Sequence, residues 1–155
     1  MRPSIVSLEV NGSHRDFLAQ PGTTLLTALR EALGLTATRK GCETGSCGAC
    51  TVILDGEPVM SCLVPVCQVE GAEVQTVEGL AQPVVHAVQA AFLQHGAAQC
   101  GICTPGFLMA AAALLDENPR PSREEARVAL AGNLCRCTGY QKIVDAVVHA
   151  IAEEA

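Results

Sequence analysis

The chain lacks tryptophan altogether and holds one tyrosine and three phenylalanines among 155 residues. A core built on large rings is excluded, so small aliphatic side chains, much of them alanine, must fill the interior. Basic residues are also few: ten Lys and Arg stand against sixteen Asp and Glu, a net charge of −6. That balance excludes the basic stripe a phosphate backbone requires, and no nucleic-acid partner is expected. No apolar run approaches the ~18 residues that read as a membrane span. The opening residues, Met1-Arg2-Pro3-Ser4-Ile5-Val6, contain no apolar signal core. No membrane insertion and a cytoplasmic location are therefore expected. His14, His86, His95 and His149 are scattered without ligand spacing, and none is expected to carry chemistry.

Cysteine, by contrast, is abundant. Nine cysteines form an odd set, and with no secretory leader a disulfide framework is disfavoured. Eight of them fall into two groups of four. Cys67 stands outside, in the apolar run 63–69, where it is expected to pack as a small hydrophobe.

Periodicity divides the chain into a β-rich half, residues 1–78, and a helical half, residues 79–155. Residues 4–10 alternate as a strand, Asn11-Gly12 is a hairpin turn, and 14–18 return. A helix carrying Leu25, Leu26, Leu29, Ala32 and Leu33 follows, closed by Gly34. A second hairpin turns at Asp55-Gly56, and 73–77 form a last strand. Strand pair, helix and further strands is the order of a β-grasp fold. From Pro83 the period becomes helical, with a stripe of Val84, Val85, Val88, Ala91 and Phe92. Residues 104–118 are apolar nearly all round and predict a buried central helix. Ser122 and Glu125 form a capping box for a short third helix, and 139–154 predict an amphipathic fourth. Thr104 and Thr138 are expected to cap the two helices that open next to cysteines. The predicted fold class is α+β: an N-terminal β-grasp domain, then a small four-helix bundle.

The first cysteine group reads Cys42-x4-Cys47-x2-Cys50, with Cys62 eleven residues on. This is the plant-type ferredoxin spacing for a 2Fe–2S cluster. Gly41, Gly45 and Gly48 let the loop wrap closely and aim N–H groups at an anionic centre. Thr44 and Ser46 either add hydroxyl donors or are plain loop residues. Zinc is the alternative, but structural zinc sites favour paired Cys-x2-Cys knuckles and this group has one. The second group is Cys100-x2-Cys103 and, after thirty-one residues, Cys135-x-Cys137. Its Cys-x-Cys ending suits zinc poorly and is unusual for a free-standing ferredoxin. Arg136, between two candidate ligands, either offsets cluster charge or meets a partner.

Three motifs then carry a resemblance covering nearly the whole chain: residues 41–51 (GCETGSCGACT), 99–106 (QCGICTPG) and 132–140 (GNLCRCTGY). With both cysteine spacings, they resemble the small iron–sulfur subunit of the molybdenum hydroxylases, the xanthine oxidase family. Ile102 stands where many members carry an aromatic residue. The resemblance implies two 2Fe–2S clusters, one on Cys42, Cys47, Cys50 and Cys62, the other on Cys100, Cys103, Cys135 and Cys137. It implies that Gln99 and Cys137 approach the pterin of a molybdenum cofactor in a large catalytic subunit. It further implies that electrons pass onward to FAD in a medium subunit, and that this chain transforms no substrate itself. A stand-alone iron–sulfur redox sensor or carrier is the alternative from another class; a zinc-stabilised interaction module is a third.

Overall fold

The structure is a computed structural model that describes residues 2–81 and 85–150. The expected helical positions Val84, Ile151, Glu153 and Glu154 lie outside the described residues. Strand β1 (Ser4–Val10) pairs antiparallel with β2 (Ser13–Ala19) in the register Ile5 to Leu18. The turn puts Asn11 and Gly12 at φ +51° and +71°, the conformation an Asn-Gly hairpin supplies cheaply. Strands β3 (Thr51–Leu54), β4 (Glu57–Met60) and β5 (Glu73–Gln75) complete a five-stranded sheet of order β2-β1-β5-β3-β4. The central β1–β5 pair is parallel and the other pairs are antiparallel.

Helix α1 (Leu25–Thr27) runs directly into a π-helical turn at Ala28–Ala32. Thr24 caps it by accepting the Thr27 N–H at 3.2 Å. Its apolar face, Leu25, Ala28 and Leu29, packs against Val6, Leu8, Phe17, Val52 and Val74 of the sheet. The chain then enters a loop that carries three of the cysteines. Arg30 Nη1 pins the base of that loop by donating to the carbonyls of Thr36 (2.6 Å) and Thr38 (2.8 Å). Glu78 adds a brace by accepting the Ala37 N–H at 2.9 Å.

The second half contains α2 (Ala87–Gln94), α3 (Thr104–Glu117), α4 (Arg123–Ala129) and α5 (Gln141–His149). The α4 capping box forms as the sequence predicts, with Ser122 and Glu125 bonded reciprocally. Helix α2 starts later than expected, because His86 accepts the Val88 N–H and Gln89 bonds back to His86. Helix α3 is buried from Pro105 to Ala113, and its surroundings explain why. One side meets Val88, Phe92, Ile143 and Val147 of the other helices; Ile53 of β3 belongs to the same cluster. The apolar core therefore continues across the join between the halves.

Several local expectations are corrected. Thr104 lies inside α3, whose N-cap is Cys103 with no capping side chain. Thr138 does not cap α5 either: Tyr140 occupies that position in a left-handed conformation at φ +67°. Cys67 is exposed rather than packed. It sits in a short 3-10 turn, Val66–Gln68, that buries Val66 and turns its neighbours outward.

Candidate metal centres

In the first group, two structural units bring the cysteines together. Cys42 and Cys47 belong to the pinned loop. Cys50 directly precedes β3, and Cys62 follows the end of β4, so strand pairing fixes their separation. Ser61 tightens this by donating its hydroxyl to the Cys50 carbonyl at 2.7 Å. The Cys42 and Cys47 thiols are neighbours, as are those of Cys50 and Cys62, and Cys62 also feels the charge of Cys42. The loop aims backbone N–H groups at sulfur: Thr44 and Ser46 donate to Cys42 Sγ at 3.4 and 3.3 Å. The Thr44 amide above all, then its hydroxyl, the Cys47 thiol and the Ser46 amide, hold the Cys42 thiol down at about 6. Burial, and then donation to Cys50, pushes Cys62 up to about 11. The Thr44 and Ser46 hydroxyls bond to each other at 3.1 Å, so Thr44 takes part in the site by its amide and hydroxyl, and Ser46 by its amide.

In the second group, Cys100 and Cys103 precede α3, and Cys135 and Cys137 lie in the turn before α5. Pairing recurs. Cys137 Sγ lies 3.6 Å from Cys100 Sγ, and Cys103 faces Cys135. Burial, followed by donation to Cys135, drives Cys103 up to about 12. Burial pushes Cys135 up as well, but the Thr138 hydroxyl and amide, the Cys137 amide and the Cys103 thiol outweigh it, leaving about 7. Thr138 Oγ1 donates to Cys135 Sγ at 3.1 Å and accepts the Tyr140 N–H at 3.2 Å. The Tyr140 hydroxyl accepts the Cys135 N–H at 2.9 Å, and its ring meets Phe107 edge-on at 6.2 Å. Gln99 and Cys137 are both exposed.

A cleft of about 240 Å³ is lined by cysteines of both groups together with Ile102, Leu134 and Arg136. Four sulfurs in two facing pairs suit a rhombic two-iron centre, in which each iron takes two thiolates. They suit a tetrahedral single ion poorly, since such an ion needs all four at equal reach. Among the described residues, no three His, Cys, Asp or Glu side chains close in on a single-ion site. N–H and O–H donors directed at sulfur are what anionic thiolate and sulfide need. The residues therefore fit 2Fe–2S clusters. Sequence reasoning missed the Tyr140 hydroxyl, the Thr138–Cys135 bond and the role of Asn133, which entered only as part of the 132–140 motif. Only long-range geometry shows Asn133 bonded to Gly48, eighty-five positions away.

The comparisons with known proteins agree. The family described as 2Fe-2S iron-sulfur cluster binding domain matches residues 8–81, and a second, the 2Fe-2S binding domain, matches 76–148. The nicotinate dehydrogenase small FeS subunit of Eubacterium barkeri is 47% identical, the alignment covering 97% of each chain. The nicotine 6-hydroxylase small subunit of Paenarthrobacter nicotinovorans is 49% identical over 94% of this chain and 88% of that one. The quinoline 2-oxidoreductase structure from Pseudomonas putida 86 superposes with a TM-score of 0.94 at 48% identity, covering 99% of this chain and 96% of that chain. Two 2Fe–2S domains in one chain, in the order and over the length of these subunits, make the role electron transfer within an oxidoreductase: the chain belongs to the small iron–sulfur subunits of the molybdenum hydroxylases.

Proposed function

We propose that Cys42, Cys47, Cys50 and Cys62 hold one 2Fe–2S cluster and Cys100, Cys103, Cys135 and Cys137 the other. The pairwise facing of the thiols carries this assignment. When bound, such a cluster supplies a one-electron site that neither makes nor breaks a bond to substrate. The work of this chain is to hold and tune it. Thr44 and Ser46 stabilise negative charge on Cys42, and Thr138 does so on Cys135; hydrogen bonds to ligand sulfur favour the reduced state. Residues 1–78 and 79–155 act as the two cluster-bearing domains.

The full reading is a relay. A large subunit with a molybdenum–pterin cofactor delivers electrons at the helical domain, where exposed Gln99 and Cys137 meet the pterin. Gln99 suits a heterocycle edge because an amide donates and accepts at once. A medium FAD-binding subunit takes electrons from the β-grasp side. Ile102 (51% exposed) and Leu134 (54%) flank the second cysteine group as the apolar part of a partner surface. The complex works in the cytoplasm. A stand-alone sensor is not favoured, because the relatives matched over their own length are subunits of dehydrogenases and hydroxylases.

The test is metal analysis of the chain purified with its partners. About four irons and four acid-labile sulfides per chain are expected, with two distinct EPR signals on reduction. Stoichiometric zinc, or only two irons in fully loaded protein, would defeat the assignment.

A further inference from the structure

The two cysteine groups are joined at backbone level by a short seam. Leu134, immediately before Cys135, donates its N–H to the Cys47 carbonyl at 2.9 Å. Beside it the Asn133 carboxamide, 4% exposed, donates through Nδ2 to the Gly48 carbonyl at 2.8 Å and to Thr51 Oγ1 at 3.4 Å. At two points the backbones of this seam meet directly. A Cβ on Gly48 would strike the Gly132 carbonyl, and a Cβ on Gly106 would strike the Gly48 carbonyl. A continuous path results. It runs from Cys47 Sγ through that residue's carbonyl, across the hydrogen bond to Leu134, and along the backbone to Cys135 Sγ.

We propose that Asn133 is the positioning residue for transfer between the two centres: its carboxamide locks the seam, so that the electron crosses the Cys47–Leu134 hydrogen bond. The inference rests on the ligand assignment proposed above. In the step, the centre at Cys135 loses one electron and the centre at Cys47 gains it. No proton moves, and no bond forms or breaks. Three observations single out Asn133. It reaches the opposite loop from the residue adjoining Leu134. Its donor is neutral, so it adds no charge between two anionic sites. The Gly48 carbonyl also accepts the Thr51 N–H at 3.1 Å and the Thr51 hydroxyl at 2.7 Å. The β-grasp loop therefore keeps its own bonds when the Asn133 side chain is removed, and the Leu134–Cys47 bond loses only the carboxamide that holds its neighbour in place.

The experiment uses the assembled, iron-loaded complex with Asn133→Ala and with Asn133→Asp. The second change conserves shape but turns a carboxylate toward the Gly48 carbonyl. Iron content, the EPR signal of each centre, the magnetic splitting between the two signals, and the rate between centres by rapid-freeze EPR are measured. Expected are full iron, unchanged individual signals, a diminished splitting, and a severalfold lower rate between the centres. Wild-type splitting and rate in either variant would overturn the proposal. So would loss of iron from one centre, or failure of both variants to assemble, since Asn133 would then serve folding or loading. A wild-type complex that lacks about four irons or two signals would instead sink the ligand assignment, and the inference with it.

Discussion

At the scale of single residues, the iron-free thiols divide into those held ready as thiolates and those held protonated. Cys42, at about 6, and Cys135, at about 7, lie below the ordinary thiol range; Cys62, at about 11, and Cys103, at about 12, lie far above it. Thiolate is the reactive form, so at pH 7.5 iodoacetamide should alkylate Cys42 and Cys135 well before Cys62 and Cys103. The order follows from sign: a thiol lowered to about 6 is mostly ionised above that pH, and one raised to about 12 stays protonated. Lowering the pH through 6 should therefore slow Cys42 steeply, and peptide mass spectrometry of the alkylated chain reads both effects. Equal labelling of all four would show that the donors around Cys42 and Cys135 do not act as described. The same logic makes cluster loading release protons and strengthen as pH rises. Cys67 is a separate case. It is exposed, so Cys67→Ser should keep both clusters and change stability by no more than about 0.5 kcal/mol, the usual range for an exposed site. Loss of either EPR signal in that variant would place Cys67 among the ligands.

At the scale of elements, the join between the cluster loops is decided by backbone contact, and glycine is required where chains touch. Gly106 opens α3 against the Gly48 carbonyl, with Asn133 Nδ2 at 3.0 Å from where a Cβ would sit. Alanine would add about 1 kcal/mol of helix propensity there. The Cβ would press on backbone that cannot swing aside, at a cost of about 1–3 kcal/mol. The clash should win, so Gly106→Ala should lower the melting temperature of the iron-loaded chain by several degrees. Gly132→Ala is the matched comparison: its Cβ would meet only the flexible end of Met60 at 3.6 Å, and the midpoint should hold. If Gly106→Ala melts no lower than Gly132→Ala, the close approach is softer than the structure shows. These contacts mark the limit of what the chain reveals before folding. Asn11-Gly12, the Asp55-Gly56 hairpin, the Ser122–Glu125 box and the apolar run in α3 were legible because each signal is local and periodic. The caps at Thr104 and Thr138 were misread for a physical reason. Thr138 spends its hydroxyl on Cys135 sulfur and the Tyr140 amide, and Cys103 stands where a capping side chain would be. Nothing local distinguishes a threonine that caps a helix from one that serves a thiolate. The Asn133 bond to Gly48 lies beyond any local pattern.

At the scale of the whole molecule, the two cysteine sites stand on two apolar clusters, the helical one reaching Ile53 of β3, and meet along one hydrogen-bonded seam. Damage to each should therefore be local in loading but serial in effect. Cys47→Ser removes a thiolate from the β-grasp loop; the second group, on the turns before α3 and α5, keeps all four of its own. In the complex under anaerobic conditions, substrate should still reduce the molybdenum site and the helical-domain cluster of that variant. Electrons should stall before the flavin, and turnover with the physiological acceptor should collapse. Cys103→Ser should act one stage earlier. It removes the partner that faces Cys135, so transfer out of the molybdenum site should fail while the β-grasp cluster still loads and still accepts electrons from dithionite. Rapid-freeze EPR and flavin absorbance after mixing with substrate separate the two variants. The seam joins the two groups directly, the Leu134 N–H donating to the Cys47 carbonyl. A bypass would need a flavin close to the helical domain. Flavin reduction at the wild-type rate in a Cys47→Ser complex shown to lack the β-grasp cluster would establish that bypass and reverse the proposed order.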